Sequence, residues 1–253
     1  MPDPAPLRFT PGNHSYTLDG RRVPSVTAIV NGGVPKPALI GWAAKTVAEA
    51  VADMPSAVDA LRDLGREPMV RALSSLPDEA RNRKADRGTS VHTLAVEVVH
   101  GRPLADVPDA VRAHVEGYAA WLDRFDLQPV LTERMCGNRT DWYAGRFDLI
   151  GEVGITRWGL DVKTGGVWGE TALQLAAYFR AEFWQDDDGA LHDMPHIDRI
   201  GVLSVTDAGT DLFDMGDIDT AYAEFLAAKA IHTSSTRRKR LVGDPVQLDE
   251  ALL

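Results

Sequence analysis

Two short apolar stretches joined by a turn signal constrain this chain more than anything else in it. Tyr143-Ala-Gly-Arg-Phe-Asp-Leu-Ile-Gly151 and Trp158-Gly-Leu-Asp-Val-Lys-Thr-Gly165 each read as a strand, and Glu152-Val-Gly-Ile-Thr156 between them reads as a hairpin connection. Side chains alternate across a strand, so Asp161 and Lys163 leave one face while the apolar Leu160 and Val162 take the other. Asp148 lies on the strand expected to pair with this one and reaches the same face. Two carboxylates and an ammonium thus converge where the second strand stops. Hard oxygen ligands suit Mg²⁺ or Mn²⁺, and a lysine beside them faces an attacking water and developing negative charge. Phosphodiester hydrolysis needs this combination.

Taken alone, an Asp-x-Lys on a strand is most often a salt bridge on a wet sheet face. Three neighbouring features point further. Gly145, three residues before Asp148, thins the adjoining strand and lets another group approach its backbone. Gln174 and Tyr178 lie four apart on a helix predicted over 167–184, hence on one face. Upstream, Gly88 and His92 are also four apart, beside an apolar stripe of Val91, Leu94, Ala95 and Val98. There His92 is either an ordinary hydrogen-bonded histidine or a nitrogen ligand on one side of a metal. Glu133, on a strand predicted over 130–136, shares a face with Leu131 and Met135 at even spacing. It is either a further acidic ligand or a surface glutamate.

In order, Gly88-x-x-x-His92, Gly145-x-x-Asp148, Asp161-x-Lys163-Thr-Gly and Gln174-x-x-x-Tyr178 resemble the core of the PD-(D/E)XK nuclease superfamily. Among its branches they resemble most the RecB-like exonucleases, and Pro24-Ser-Val-Thr-Ala-Ile29 with Trp42 resembles the front of phage-encoded members. The resemblance implies an α/β fold, with a central mixed sheet of roughly four to six strands flanked by helices and an N-terminal helical elaboration. It implies a DNA exonuclease dependent on Mg²⁺ or Mn²⁺, serving recombination, repair or phage replication. Asp148 and Asp161 then hold the metal, the Val162 carbonyl adds a ligand and His92 completes one side. Lys163 positions or activates water and stabilises charge, while Gln174 and Tyr178 hold the lysine or the scissile phosphate. Two alternatives stay open: a structure-specific endonuclease on the same fold, and a non-catalytic nucleic-acid-binding accessory of recombination.

Composition sets the remaining limits. At 253 residues the chain is expected to form one domain, with a hairpin and helical cap over 1–76, the nuclease core over 77–231 and a polar, basic tail over 232–253. Cys136 is the single cysteine, so neither an internal disulfide nor the four-cysteine iron–sulfur cluster of some RecB-like nucleases can form. A net charge of −10 argues against a protein that coats nucleic acid indiscriminately. It leaves room for a local basic rim, and Arg83, Lys84 and Arg87, just before the histidine motif, are the candidate DNA-backbone contacts. With no long apolar run and no signal-peptide layout at the start, the expected location is cytoplasmic, away from membranes. No phosphate-binding Gly-x-x-x-x-Gly-Lys-Ser/Thr loop occurs, so any unwinding must come from a partner helicase. A recombinase or single-strand-binding protein is the other class of partner expected.

Further expectations concern single elements. Asp19-Gly20 marks a hairpin, and Ser25 caps a short helix that Asn31-Gly-Gly33 should break. Residues 38–76 read as helical with a stripe of Leu39, Trp42, Ala43 and Val47, and a new helix should open at Pro77 and restart or bend near Gly88. Val111, Val115, Tyr118, Leu122 and Phe125 mark another amphipathic helix. Asp186-Asp-Asp-Gly189 reads as a solvated turn, and a last helix is expected over 218–231.

Overall fold

Asp19 and Gly20 both adopt positive φ, 50° and 73°, and close the first hairpin as their sequence predicts. In the computed structural model, which describes residues 7–102, 107–238 and 240–245 without the side chains of Arg87 and Thr236, this hairpin belongs to a small antiparallel sheet. Its strands are β1 (Arg8–Thr10), β2 (Ser15–Leu18) and β3 (Arg21–Val23). Ser25 then caps α1 (Val26–Gly33), its hydroxyl accepting the Ala28 N–H at 3.1 Å. The helix ends at Gly33, within the Asn31-Gly-Gly33 stretch expected to break it, after including all three of those residues. Its glycines also serve close packing: a Cβ on Gly33 would lie 2.1 Å from the Ala228 carbonyl oxygen, and one on Gly32 would lie 2.3 Å from His232 Nδ1.

Three helices follow: α2 (Pro37–Asp53), α3 (Pro55–Asp63) and α4 (Arg66–Val99). The helix expected to open at Pro77 is continuous across it, and the chain stays helical through Gly88. Proline removes one backbone N–H and crowds the preceding turn, but it does not stop flanking turns from keeping register. Pro68 sits in the first turn, where its N–H has no partner to lose. No residue of α2 is fully buried; Trp42, Ala43 and Val47 are half-buried, while Leu39 of the predicted stripe is 54% exposed. Helix α5 (Asp109–Phe125) buries Val111, Val115, Tyr118 and Leu122 as predicted, but Phe125 stays exposed.

The main sheet contains seven strands among the described residues, more than the four to six expected. They are β4 (Gln128–Asn138), β5 (Tyr143–Val153), β6 (Thr156–Lys163), β7 (Phe183–Gln185), β8 (Leu191–Asp193), β9 (Arg199–Thr206) and β10 (Gly209–Asp214), in the order β10-β9-β6-β5-β4-β7-β8. Only β6 and β9 run parallel, from Trp158 beside Arg199 to Lys163 beside Ser204, so the sheet is mixed. The unforeseen strands β7 and β8 flank the acidic turn, where Asp186 Oδ1 accepts the N–H groups of Asp188 and Ala190. Helix α6 (Glu170–Phe179) is shorter than predicted because Trp184 belongs to β7, and α7 (Ile218–Arg238) runs beyond the expected end at 231.

Each face of the sheet carries its own core. Phe147, Ile150, Leu175, Val202 and Phe225 join on the side of α1, α6 and α7. Val91, Tyr118, Leu160, Val162 and Leu203 join on the side of α4 and α5. The fold is therefore α/β, with a mixed sheet between helical layers and an N-terminal helical region. No described helix is long and apolar enough to cross a membrane.

Candidate active site

The site begins with a fault in the sheet. Thr132 pairs with Leu149 and Arg134 with Phe147, which sets Glu133 opposite Asp148, yet these two do not pair. Glu133 has φ 50°, a left-handed conformation unusual for a non-glycine residue in a strand. On β5, Phe147 and Leu149 are two apart but enter opposite cores, so the pleat slips at Asp148. The expectation that Glu133 shares a face with Leu131 and Met135 therefore fails: these two enter different cores, and Glu133 turns towards α4. There His92, Glu133 and Asp148 each offer a ligand atom, all within 4.8 Å of one another. His92 Nδ1 lies 3.5 Å from Asp148 Oδ2, and that oxygen accepts the Val162 N–H at 2.8 Å. Asp148 thus takes up a backbone donor of β6 and is oriented by it.

Asp161 and Lys163 share the other face of β6, as the alternation predicts, whereas Asp148, expected to reach that same face, turns towards α4. Lys163 Nζ donates to Asp161 Oδ1 at 3.0 Å and lies 2.8 Å from Oδ2. The first contact is an aligned hydrogen bond. The second is charge proximity alone, and Oδ2, fully buried, has no hydrogen-bond donor among the described residues. Gln174 Nε2 also donates to Asp161 Oδ1, at 3.2 Å, and to the Tyr178 hydroxyl oxygen at 3.3 Å. Gln174 therefore holds the carboxylate, where the expectation had it hold the lysine or a phosphate. Tyr178 is only 4% exposed, and its ring fills the space left by Gly145, where a Cβ would lie 2.4 Å from Tyr178 Cε1. Gly88 does the same for α4 more gently, its missing Cβ falling 3.5 Å from Thr164 Oγ1.

Burial, then repulsion from Asp148, pushes the Glu133 carboxyl up to about 7. The same two causes, in the same order, push Asp161 up to about 6 despite Lys163 beside it. Burial opposes charge on Lys163, but Asp161 and Asp148 more than offset it and hold its pKa above the usual value. Lys163 is thus a charged donor at neutral pH.

These residues fit a divalent cation. Burial and repulsion from Asp148 disfavour charge on both Glu133 and Asp161, a cost that a cation among the three carboxylates would relieve. The oxygen-rich set suits Mg²⁺ or Mn²⁺, and the imidazole tilts the preference towards Mn²⁺. An open cleft of about 890 Å³ runs over the group, lined by Gly88, His92, Glu133, Arg146, Asp148 and Lys163 among others.

His92, Glu133, Asp148, Asp161, Lys163, Gln174 and Tyr178 are thus brought together, and the Val162 backbone lies against Asp148. Arg83 and Lys84 are exposed and do not line the cleft; the Lys84 ammonium lies 5.8 Å from the centre of the Trp42 ring. The Arg87 side chain lies outside the described ones. Arg146, which the sequence reading passed over, does line the cleft. Its signal was its place on a strand two residues before Asp148. Among protein-family models and curated proteins, none matches this chain.

Proposed function

We propose that this chain is a Mg²⁺- or Mn²⁺-dependent DNA exonuclease of the RecB-like PD-(D/E)XK type. The observation that carries the reading is the meeting of Asp148 and Lys163 with His92 and Glu133 in one open cleft, with Asp161 buried beneath it and bonded to Lys163. A cation bound there lowers the pKa of a water and offsets the charge of the phosphate under attack. His92, Glu133 and Asp148 would hold it, with Asp161 and the Val162 carbonyl as the further ligands that the resemblance implies.

The chain's own contribution is preorganisation. Lys163, kept charged, donates to the oxygen on which negative charge develops and steadies the incoming water. Its ammonium is aimed by Asp161, which Gln174 and Tyr178 hold in turn. Asp148 needs no such chain, because the β6 backbone fixes it. The open cleft admits an extended strand, and a partner helicase, recombinase or single-strand-binding protein fits a chain without a nucleotide-binding loop. The place of action is the cytoplasm.

The test is cleavage of end-labelled linear and covalently closed circular DNA, single- and double-stranded, with Mg²⁺, Mn²⁺ or EDTA. Loss of linear DNA alone, requiring metal and absent in Lys163→Ala, is the expected result. Cutting of circles identifies an endonuclease. No cleavage by folded protein in any arm overturns the enzyme reading.

A further inference from the structure

From Arg134 to Arg199 the arginines of the sheet region divide unequally. Arg134, Arg139, Arg157, Arg180 and Arg199 each hold a carboxylate: Asp187, Asp19, Glu152, Asp219 and Asp214 in turn. Arg146 holds none among the described residues. It is exposed, it borders the cleft with Glu133, Asp148 and Lys163, and its guanidinium carbon lies 5.7 Å from the centre of the Phe9 ring. Phe9 packs on Tyr16, with ring centroids 4.8 Å apart, so the ring is fixed by the N-terminal hairpin. An unpaired guanidinium costs least when an aromatic face orients it without using its N–H groups. All five donors then remain for a ligand.

We propose that Arg146 binds a backbone phosphate of the strand entering the cleft, and that Phe9 is its positioning residue. The inference rests on the nuclease reading and deepens it. Two cations then flank the acidic group: Lys163, committed to Asp161, and Arg146, free for the substrate. Planar, bidentate recognition of phosphate is what a guanidinium offers over an ammonium. The N-terminal hairpin thereby acquires a part in the substrate wall, through Phe9.

The test measures binding of a fluorescein-labelled single-stranded oligonucleotide by anisotropy, over a series of salt concentrations, with Ca²⁺ replacing Mg²⁺. Mn²⁺-dependent melting and cleavage are followed in parallel. Arg146→Ala is expected to weaken binding by about tenfold or more and to lower the salt slope by about one, while its Mn²⁺ shift in melting persists. Arg146→Lys should keep the slope and recover only part of the affinity. Phe9→Leu should raise KM and leave kcat unchanged, and Arg112→Ala, a surface control, should behave as wild type. Wild-type binding and slope in Arg146→Ala overturn the proposal while leaving an active nuclease in place. An altered Mn²⁺ shift with an unchanged slope also overturns it, since Arg146 then acts only on Glu133. A folded wild type that neither binds nor cuts DNA overturns this proposal together with the reading beneath it.

Discussion

The two sides of the acidic group are built in opposite ways. On the α4 side, His92, Glu133 and Asp148 point ligand atoms at one another, and the Val162 N–H is the one backbone donor bonded to Asp148 there among the described residues. On the α6 side, Lys163, Asp161, Gln174 and Tyr178 form a continuous hydrogen-bonded chain that ends in the packed core. Buried, mutually repelling carboxylates are costly unless something from outside joins them. A hydrogen-bonded chain rigidifies what it holds, even though this one leaves Asp161 Oδ2 without an aligned donor. The first side is therefore shaped to receive a cation, and the second to keep one carboxylate and one ammonium in place.

The largest expected effects test that division directly. Lys163→Ala and Asp148→Asn should each lower the cleavage rate by roughly a hundredfold to a thousandfold or more, the range for losing a preorganised charge-stabilising group. They should differ in melting. Lys163→Ala leaves the buried Asp161 without its counter-charge and lowers the melting temperature, yet keeps a shift with Mn²⁺. Asp148→Asn should lose the shift. Wild type with Mn²⁺ at a hundred times its dissociation constant should gain about 2.7 kcal/mol by mass action. Equal loss of the shift in both variants would mean that the two sides are one.

Acidity separates the sides more gently. Glu133 has its carboxyl raised from 4.5 to about 7 in the fold. The folded state therefore binds more protons than the unfolded state between these values, and stability falls as pH rises through this window. Asp161, raised from 3.8 to about 6, acts in the same direction. Metal-free protein should melt lower at pH 8 than at pH 5.5, and saturating Mn²⁺ should narrow the difference. A melting temperature that climbs with pH in EDTA, with Glu133→Gln behaving as wild type, would remove the electrostatic case for a cation on this side.

Much of the α6 side was legible because it obeys simple periods. A period of two placed Asp161 with Lys163, a spacing of four placed Gln174 with Tyr178, and the missing side chain of Gly145 announced an approaching group. The α4 side was half legible, because it depends on a broken period. Glu133 reaches His92 only through a left-handed backbone that no alternation rule foresees. Local punctuation misled elsewhere for a related reason. Pro77 reads as the start of a new helix, but the helical turns on both sides of it continue through, a property of the assembled fold. Arg146 was missed because its meaning lies in a carboxylate it does not have.

Crowding around Gly145 offers a sharper test of the packed side. In Gly145→Ala the new methyl would enter the ring of Tyr178, so overpacking should cost about 1–3 kcal/mol by denaturant unfolding. The metal shift should persist, because Gly145 lies on the side of the chain that does not face His92. Activity should drop with stability, since displacing the Tyr178 ring also displaces Gln174.

Removing only the hydroxyl is the mildest change and the most discriminating. Tyr178→Phe keeps the ring on Gly145 and deletes one partner of Gln174 Nε2, which still has Asp161. A single such hydrogen bond contributes about 0.5–1.5 kcal/mol, so the loss of stability should stay within that range. Tyr178 is buried and cannot touch a strand in the cleft; its hydroxyl meets Thr27 as well as Gln174, and the path to the ammonium runs through Gln174 and Asp161 to Lys163. The variant should therefore lower kcat a few-fold and leave KM unchanged, whereas Arg146→Ala should chiefly raise KM. If Tyr178→Phe instead moved KM and spared kcat, the hydroxyl would belong to substrate binding, and the hydrogen-bonded chain would have to be read from its other end.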